Sequence, residues 1–249
     1  MHFLCLHGAI GNIDNISIQL APLEKELAKD KTATFHYIKA PVTVNPPEGF
    51  KECFGPGPHY RWMDDGGSGQ DSMLNRIREL PVGHNPEDVM RTLASKEVMW
   101  KNRDSVMKYL NDMLDTHPEV EGLIGYSEGS AMGATYILDE QDRLERESRP
   151  RRIKCALFFT GWPPAAADNS LVLADESDIT IDVPTLHVVG ANDPYRYGAL
   201  ALYNVCDPDT AIMFDTGKGH TIPRAGPVIS ELAFAVQELI LNAKSADSA

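Results

Sequence analysis

The sequence predicts an α/β protein whose sheet is mainly parallel. Two observations point to this class: short apolar runs rich in β-branched and aromatic residues alternate with segments of helical period, and neither an internal repeat nor a domain boundary interrupts that order. The chain of 249 residues is 43% hydrophobic and 24% charged, which suffices for one large core. We therefore expect a single domain over residues 1–249.

Six apolar runs have the length and composition of buried strands. They cover residues 2–7, 32–38, 121–126, 153–160, 184–190 and 210–215. Amphipathic helices are predicted where apolar residues recur every three or four positions, over 13–27, 99–113 and 228–240. Pro223 is placed in the first turn of the last helix, and the residues from Asn242 are expected to fray. Because helical segments separate the strands, we expect helices on both faces of the sheet.

Two segments break this alternation, residues 41–69 and residues 162–182. Residues 41–69 contain five prolines and six glycines, which prevents long regular structure. The same segment carries four large aromatic side chains, which favour a packed lid over a flexible linker. These are Phe50, Phe54, Tyr60 and Trp62. We predict an irregular lid within an insertion at about 41–84.

Composition narrows the classes of function. The chain carries 23 Lys and Arg against 36 Asp and Glu, and this net charge of −13 disfavours binding to nucleic acid or to an anionic membrane surface. The absence of a run of about 18 apolar residues and of a basic leader predicts no membrane segment and a cytoplasmic protein. The four cysteines lack metal-ligand spacing, so we expect reduced thiols and no metal. We expect no organic cofactor either.

A nucleophile motif lies between a predicted strand and a helix. Gly125-Tyr126-Ser127-Glu128-Gly129 has the pattern G-x-S-x-G and follows the apolar run 120–124. In this context the serine occupies a strained turn, and the flanking glycines let the strand and helix approach closely. We predict that Ser127 is the catalytic nucleophile.

An acid and a histidine follow in the order that such a nucleophile requires. Asp193 comes after the strand at 184–190, and His220 lies in a glycine-rich loop before the last helix. Each has a simpler alternative. Capping a turn could be the sole role of Asp193, and His220 could be an ordinary loop residue. Competing acids are less well placed: Asp182, Asp207, Asp209 and Asp215. The agreement of three motifs favours a Ser127-His220-Asp193 triad.

Acyl transfer also needs donors for a developing oxyanion. The sequence predicts the backbone N–H of Glu128 as one donor and an amide of Ala9 or Ile10, in the loop after the first strand, as the other. A carboxylate facing this site would oppose the negative charge, so we expect the Glu128 side chain to point away or to pair with a cation. His7 is interpreted as a residue that orients the loop.

Together with the opening Leu4-Cys5-Leu6-His7-Gly8, these motifs resemble the FSH-type family of serine hydrolases, found largely in fungi. The resemblance implies an α/β-hydrolase fold. The segment from Gly55 to Trp62 is similar to an aromatic segment in members encoded beside fungal polyketide synthases. Such members are implied to be thioesterases that release acyl chains from a synthase carrier domain, or esterases that trim the product of this secondary metabolism. Glu128 stands where the family more usually has glutamine.

We therefore predict a serine hydrolase that cleaves a thioester or an ester, with a polyketide synthase acyl carrier domain as the partner that the resemblance implies. A general carboxylesterase, or a non-catalytic hydrolase-fold protein that binds a small molecule or partner, is the alternative. Tyr60 and Trp62 are the candidate substrate-binding residues, and the competing interpretation is that they pack the lid on the sheet.

A basic run is the one candidate surface for an acidic carrier domain. It consists of Arg149, Arg151, Arg152 and Lys154. These residues precede a strand and so belong to the edge of the sheet opposite the catalytic loops. We expect a solvated turn there rather than a docking site.

Overall fold

The computed structural model describes residues 1–46, 55–64, 85–94 and 100–246. Phe50, Phe54 and residues 65–84 of the predicted insertion lie outside this part of the chain. Eight strands and six helices follow one another within it. They are β1 (His2–Leu6), α1 (Ile13–Ala28), β2 (Thr34–Ile38), β3 (Val42–Val44), β4 (His59–Arg61), α2 (Pro86–Ala94), α3 (Arg103–Thr116), β5 (Val120–Tyr126), α4 (Glu128–Glu147), β6 (Cys155–Phe159), β7 (Thr185–Val189), α5 (Arg196–Asn204), β8 (Ala211–Asp215) and α6 (Val228–Ala246).

The main sheet contains all six predicted strands. Its order is β2-β1-β5-β6-β7-β8, and every neighbouring pair is parallel. The carboxyl ends of the strands therefore meet at one edge of the sheet. Ser127 follows β5, Asp193 follows β7 and His220 follows β8, so the three predicted catalytic residues are carried to that same edge.

Helices cover both faces of the sheet, as predicted. Along β1, Leu4 and Leu6 belong to one apolar cluster, while Phe3 and Cys5 belong to the other. Side chains of α2, α3, α4 and α5 pack in the first cluster, and those of α1 and α6 pack in the second. This alternation follows from the two-residue period of a strand that is buried on both faces. Within the described residues, no helix is long and apolar enough to cross a membrane.

The described part of the insertion is more regular than its composition predicted. The β-branched run Val42–Val44 pairs antiparallel with His59–Arg61, with Val42 opposite Arg61. Backbone hydrogen bonds join Tyr60 to Gly11 in both directions, at 3.1 Å and 2.7 Å. This hairpin is therefore attached to the loop that follows β1. The outer limits of the lid remain a prediction.

The last helix differs from the prediction at both ends. It begins at Val228, after Pro227, whose carbonyl accepts the N–H groups of Ser230 and Glu231, so Pro223 lies outside the helix. It continues to Ala246, because Ala243 is buried against the sheet and extends the apolar face beyond Asn242. The expected fraying of residues 242–246 is thus wrong.

Two glycines of α4 provide a matched test of how closely this helix approaches β1. A Cβ on Gly129 would lie 2.3 Å from the Leu6 carbonyl oxygen, whereas a Cβ on Gly133 would meet its nearest atom at 3.4 Å. We expect Gly129→Ala to lower the free energy of unfolding by about 1–3 kcal/mol or more. Gly133→Ala should leave it unchanged or raise it by about 0.5–1 kcal/mol through helix propensity. Urea denaturation measures both, and equal midpoints would contradict the close approach.

Candidate active site

Ser127 occupies a strained backbone conformation between β5 and α4. Its φ of 53° and ψ of −117° lie in a region that residues with a side chain rarely adopt. Its N–H donates to the Phe159 carbonyl at 2.9 Å. A Cβ on Gly125 would lie 2.4 Å from Ser130 Cα, so only glycine permits this turn. The local geometry is that of the predicted nucleophile elbow.

Asp193 and His220 form a hydrogen-bonded pair. Asp193 is fully buried, and its Oδ2 accepts from His220 Nδ1 at 2.8 Å. Its Oδ1 accepts from the N–H of Tyr195 at 2.8 Å, so the same carboxylate also caps the turn before α5. Asp193 therefore caps a turn, as the simpler interpretation expected, and also bonds to His220, and its catalytic role remains a prediction. The pair holds His220 with Nδ1 protonated and leaves Nε2 as the basic nitrogen.

Two tyrosines that the sequence did not single out surround the His220 ring. The Tyr195 ring stands perpendicular to it, with centroids 4.8 Å apart, and the Tyr126 ring lies 5.4 Å away. The Tyr126 hydroxyl donates to the His220 carbonyl at 3.0 Å. Burial, with a smaller contribution from the charge of Asp193, raises the pKa of Tyr126 and keeps this hydroxyl protonated.

The competing acids have other partners. Asp215 accepts from the N–H groups of Ala191 and Gly217 and so braces the two loops that carry Asp193 and His220. Asp182 pairs with Arg151 at 2.7 Å. Among the described residues, Asp193 is the only carboxylate bonded to His220.

Ser127 and His220 lie at the same edge of the sheet, but their side chains are not joined by a hydrogen bond. Among the hydrogen bonds of the described residues, none joins the Ser127 hydroxyl to His220. The connection runs instead through Tyr126, which precedes the nucleophile and contacts His220. Catalytic hydrogen bonds often shorten only when substrate binds.

The loop after β1 lies beside the nucleophile. A Cβ on Gly8 would be 3.3 Å from Ser127 Cβ, and Ile10 has a φ of 57° and is buried. Of the predicted oxyanion residues, Glu128 directly follows Ser127, and Ala9 and Ile10 directly follow Gly8 in this loop. The amide that points at a substrate oxygen remains a prediction.

His7 fixes this loop through both ring nitrogens. Nδ1 donates to the Gly8 carbonyl at 2.7 Å, and Nε2 accepts from the Ala40 N–H at 3.1 Å. This pattern defines the neutral Nδ1–H tautomer. Burial lowers the pKa of His7, which agrees with that neutral form. With both nitrogens engaged, His7 orients the loop, as the sequence predicted.

A protein-family model described as Serine hydrolase (FSH1) matches residues 1–232, which include all three predicted catalytic residues. The chain belongs to the FSH1 serine hydrolase family. Esterase FPY3 of Fusarium mangiferae is 23% identical to this serine hydrolase, over 98% of each chain. Hydrolase phiM of Talaromyces stipitatus is 25% identical, over 96% of this chain and 87% of the relative.

Solved structures with low sequence identity share the fold of this serine hydrolase. SOBER1 of Arabidopsis thaliana superposes with a TM-score of 0.56 at 15% identity, over 98% of both chains. A monoacylglycerol lipase of Paleococcus ferrophilus gives a TM-score of 0.53 at 12% identity, over 97% of this chain and 94% of the lipase. These likenesses and the parallel sheet order confirm the predicted α/β-hydrolase fold.

The Glu128 side chain pairs with a cation, as predicted. Its Oε1 accepts from Arg61 Nη2 at 2.9 Å and from Arg61 Nε at 3.2 Å, and its Oε2 accepts from the Trp62 N–H at 2.9 Å. Both charged side chains are largely buried, with 11% and 9% of their surface exposed. The carboxylate therefore ties the end of β4 to the first turn of α4.

Trp62 packs in the core rather than against a substrate. It is fully buried, its indole N–H donates to the His7 carbonyl at 2.7 Å, and its ring lies beside those of His7 and Tyr109. A side chain without exposed surface offers no wall to a pocket in this structure. The expectation that Trp62 binds substrate is corrected accordingly, whereas Tyr60 is half-buried and remains a candidate.

The basic run is neutralised by neighbouring acids at the edge opposite Ser127. Arg152 lies 3.0 Å from Asp115, and Arg149 lies 3.8 Å from the same carboxylate. Lys154 pairs with Glu121 at 2.8 Å. These pairings agree with the solvated turn that the sequence predicted.

The Glu128–Arg61 pair can be tested by a double-mutant cycle. Glu128→Gln leaves a largely buried guanidinium without its charge partner, so we expect a loss of about 3–5 kcal/mol in the free energy of unfolding. Arg61→Met should cost a similar amount, and the double variant should cost less than the sum. Because the Glu128 amide is retained, kcat of Glu128→Gln should change much less than stability. Additive losses would show that the two charges are not coupled.

Trp62 and Tyr60 are expected to behave differently. Trp62→Ala should lower the free energy of unfolding by about 3–5 kcal/mol and reduce activity on short and long acyl esters alike. Tyr60→Ala should have a smaller effect on melting temperature and reduce kcat/KM for long acyl esters more than for acetate esters. Assays with p-nitrophenyl esters of increasing chain length, alongside thermal melts, test both. A chain-length effect confined to Trp62→Ala would reverse these assignments.

Proposed function

We propose that this serine hydrolase cleaves carboxylic esters through an acyl-enzyme formed on Ser127, with His220 as general base and Asp193 as its partner. The buried Asp193–His220 hydrogen bond carries the proposal. It lies at the same sheet edge as a serine whose strained backbone exposes a nucleophile in this fold.

The proposal implies the following path of the proton. His220 Nε2 takes the proton from the Ser127 hydroxyl as the oxygen attacks the ester carbonyl. The same proton passes to the departing alkoxide as the C–O bond breaks, which leaves the acyl group on Ser127. Water then loses a proton to Nε2 as it attacks the acyl carbon. The bond between that carbon and the Ser127 oxygen breaks, and Nε2 returns the proton to this oxygen, which releases the acid and restores Ser127. Asp193 stabilises the imidazolium in each half-reaction because its carboxylate stays bonded to Nδ1–H.

The first turn of α4 supplies one oxyanion donor in this proposal. The N–H of Glu128 begins the helix, where backbone donors have no intrahelical partner. An amide of Ala9 or Ile10 is the second donor, supported by the contact of their loop with Ser127. The negative charge of Glu128 is directed to Arg61, so it does not oppose the oxyanion.

Esters are the substrates that the relatives' names favour, since one is called esterase FPY3 and another, from Penicillium citrinum, esterase mlcF. A thioester released from a polyketide synthase carrier domain is the finer candidate, supported by the family resemblance of residues 55–62. In the described chain, the basic run that could attract an acidic carrier is paired with acids. We therefore place the free ester first.

We also propose a cytoplasmic location, as expected from the sequence. Cys5, Cys155 and Cys206 are buried free thiols. Reduced cysteines are typical of proteins in a reducing compartment.

The triad is tested by labelling and by three substitutions. A fluorophosphonate probe should add once to the wild-type chain and not to Ser127→Ala. Ser127→Ala and His220→Ala should lower kcat by about five to six orders of magnitude, and Asp193→Asn by about four. Asp215→Asn is the matched control, because it keeps the acceptor oxygen of an acid that bonds both loops. Near wild-type turnover by Ser127→Ala, or equal losses for the two aspartates, would overturn the proposal.

A second assay separates the two substrate classes. The same acyl group is presented as a p-nitrophenyl ester, as a small thioester and as a thioester on an isolated carrier domain. Free-ester hydrolysis predicts comparable kcat/KM for the two small substrates and no gain from the carrier. A large gain on the carrier would favour release from a synthase instead.

A further inference from the structure

A cluster of three histidines and one carboxylate lies at the amino edge of the sheet, opposite Ser127. His2 begins β1, His36 lies in β2, and His117 and Glu119 lie between α3 and β5. The ring centroids of His2 and His36 are 5.6 Å apart, and those of His36 and His117 are 5.1 Å apart. The proposed hydrolysis uses none of these side chains.

The ligand atoms of His2, His36 and Glu119 lie within 4.8 Å of one another. His36 Nε2 lies 3.3 Å from His2 Nδ1 and 3.6 Å from Glu119 Oε1. A tetrahedral zinc ion with bonds of about 2.0–2.2 Å places its ligand atoms about 3.3–3.6 Å apart, and both separations from His36 lie within this range. His117 borders the group, with its Nδ1 3.5 Å from Glu119 Oε1.

We propose that His2, His36 and Glu119 form a binding site for a divalent transition cation, with Zn²⁺ as the favoured ion and water as its fourth ligand. Imidazole nitrogens and one carboxylate oxygen are ligands that zinc accepts, whereas Mg²⁺ and Ca²⁺ prefer oxygen alone. The site carries one formal negative charge when both imidazoles are neutral, which suits a dication.

The fold already holds these residues close together. His2 and His36 lie on neighbouring parallel strands, two register positions apart, and therefore on the same face of the sheet. His117 caps α3, and the turn through Pro118 is closed by the Val120 N–H, which donates to the His117 carbonyl at 3.0 Å. His2 is opposite Val120 in the pairing of β1 with β5, which brings Glu119 beside it.

The site is accessible to an ion from solvent. The side chains of His36, His117 and Glu119 have 24%, 36% and 39% of their surface exposed. Bound zinc would connect β1, β2 and the turn before β5, so we expect it to stabilise the fold and raise the melting temperature. The competing interpretation is a hydrogen-bonded cluster in which protons occupy the places that the cation would take.

Metal titration of the full chain without an affinity tag distinguishes the two. We expect one Zn²⁺ per chain by competition with a chromophoric chelator, and a rise in melting temperature with Zn²⁺ but not with Mg²⁺ or Ca²⁺. Co²⁺ should give the intense visible absorption of a tetrahedral complex. Failure to bind Zn²⁺ would leave the hydrogen-bonded cluster as the correct description.

Variants assign the ion to these residues. His36→Gln should weaken Zn²⁺ binding at least about 100-fold, and the exposed Glu119→Gln, which cannot disturb the core, about 10–100-fold. Glu145→Gln, an exposed acid on α4, is the control that should keep the wild-type affinity. His220→Ala should also keep it, because the catalytic histidine lies at the other edge. Binding that is insensitive to His36→Gln and Glu119→Gln, or is lost in His220→Ala, would overturn the proposal.

Discussion

The close approach of α4 to the end of β1 is the constraint on which the site depends. The backbone at Gly129 lies so near the Leu6 and His7 carbonyls that any side chain would clash with them. This contact sets the distance between the turn that holds Ser127 and the loop that holds Ala9 and Ile10. It also places the His7 carbonyl where the Trp62 indole donates to it. The predicted nucleophile and the loop predicted to supply an oxyanion donor can therefore lie close together only because glycine stands at position 129.

Glu128 connects the insertion to the same region of the structure. A carboxylate beside a nucleophile is unfavourable for oxyanion chemistry, yet here it accepts three hydrogen bonds from Arg61 and the Trp62 backbone. The end of β4 is thereby attached to α4, while Tyr60 is attached to Gly11. Two separate anchors therefore hold the hairpin, one to α4 and one to the loop after β1. In this family member, the charge at position 128 has a structural partner that an uncharged glutamine would not require.

Local sequence pattern predicted the features that depend on periodicity and chain order. The six parallel strands follow from apolar runs, and the positions of Ser127, Asp193 and His220 follow from where those strands end. The sequence pattern left open whether Trp62 packs in the core or binds substrate, because its indole bonds to the carbonyl of His7, 55 residues earlier in the chain. The contacts of two other residues could not be predicted either: the partner of Arg61 lies 67 residues away, and the contact of Tyr195 with His220 depends on the packing of two loops. A cation was expected for Glu128, but only tertiary structure identifies it.

The site contains two groups that would each destabilise the fold if they made no compensating contacts. Ser127 has strained dihedral angles, and Asp193 is a carboxylate with no exposed surface. Each is compensated by contacts made within the site: the Ser127 N–H bonds to Phe159, and Asp193 accepts from His220 and Tyr195. The compensating partners lie at the end of β6, just before α5 and in the loop after β8, so the strain and the burial are compensated only when all three segments are in place. The same contacts that stabilise the buried charge therefore fix the orientation of the His220 ring.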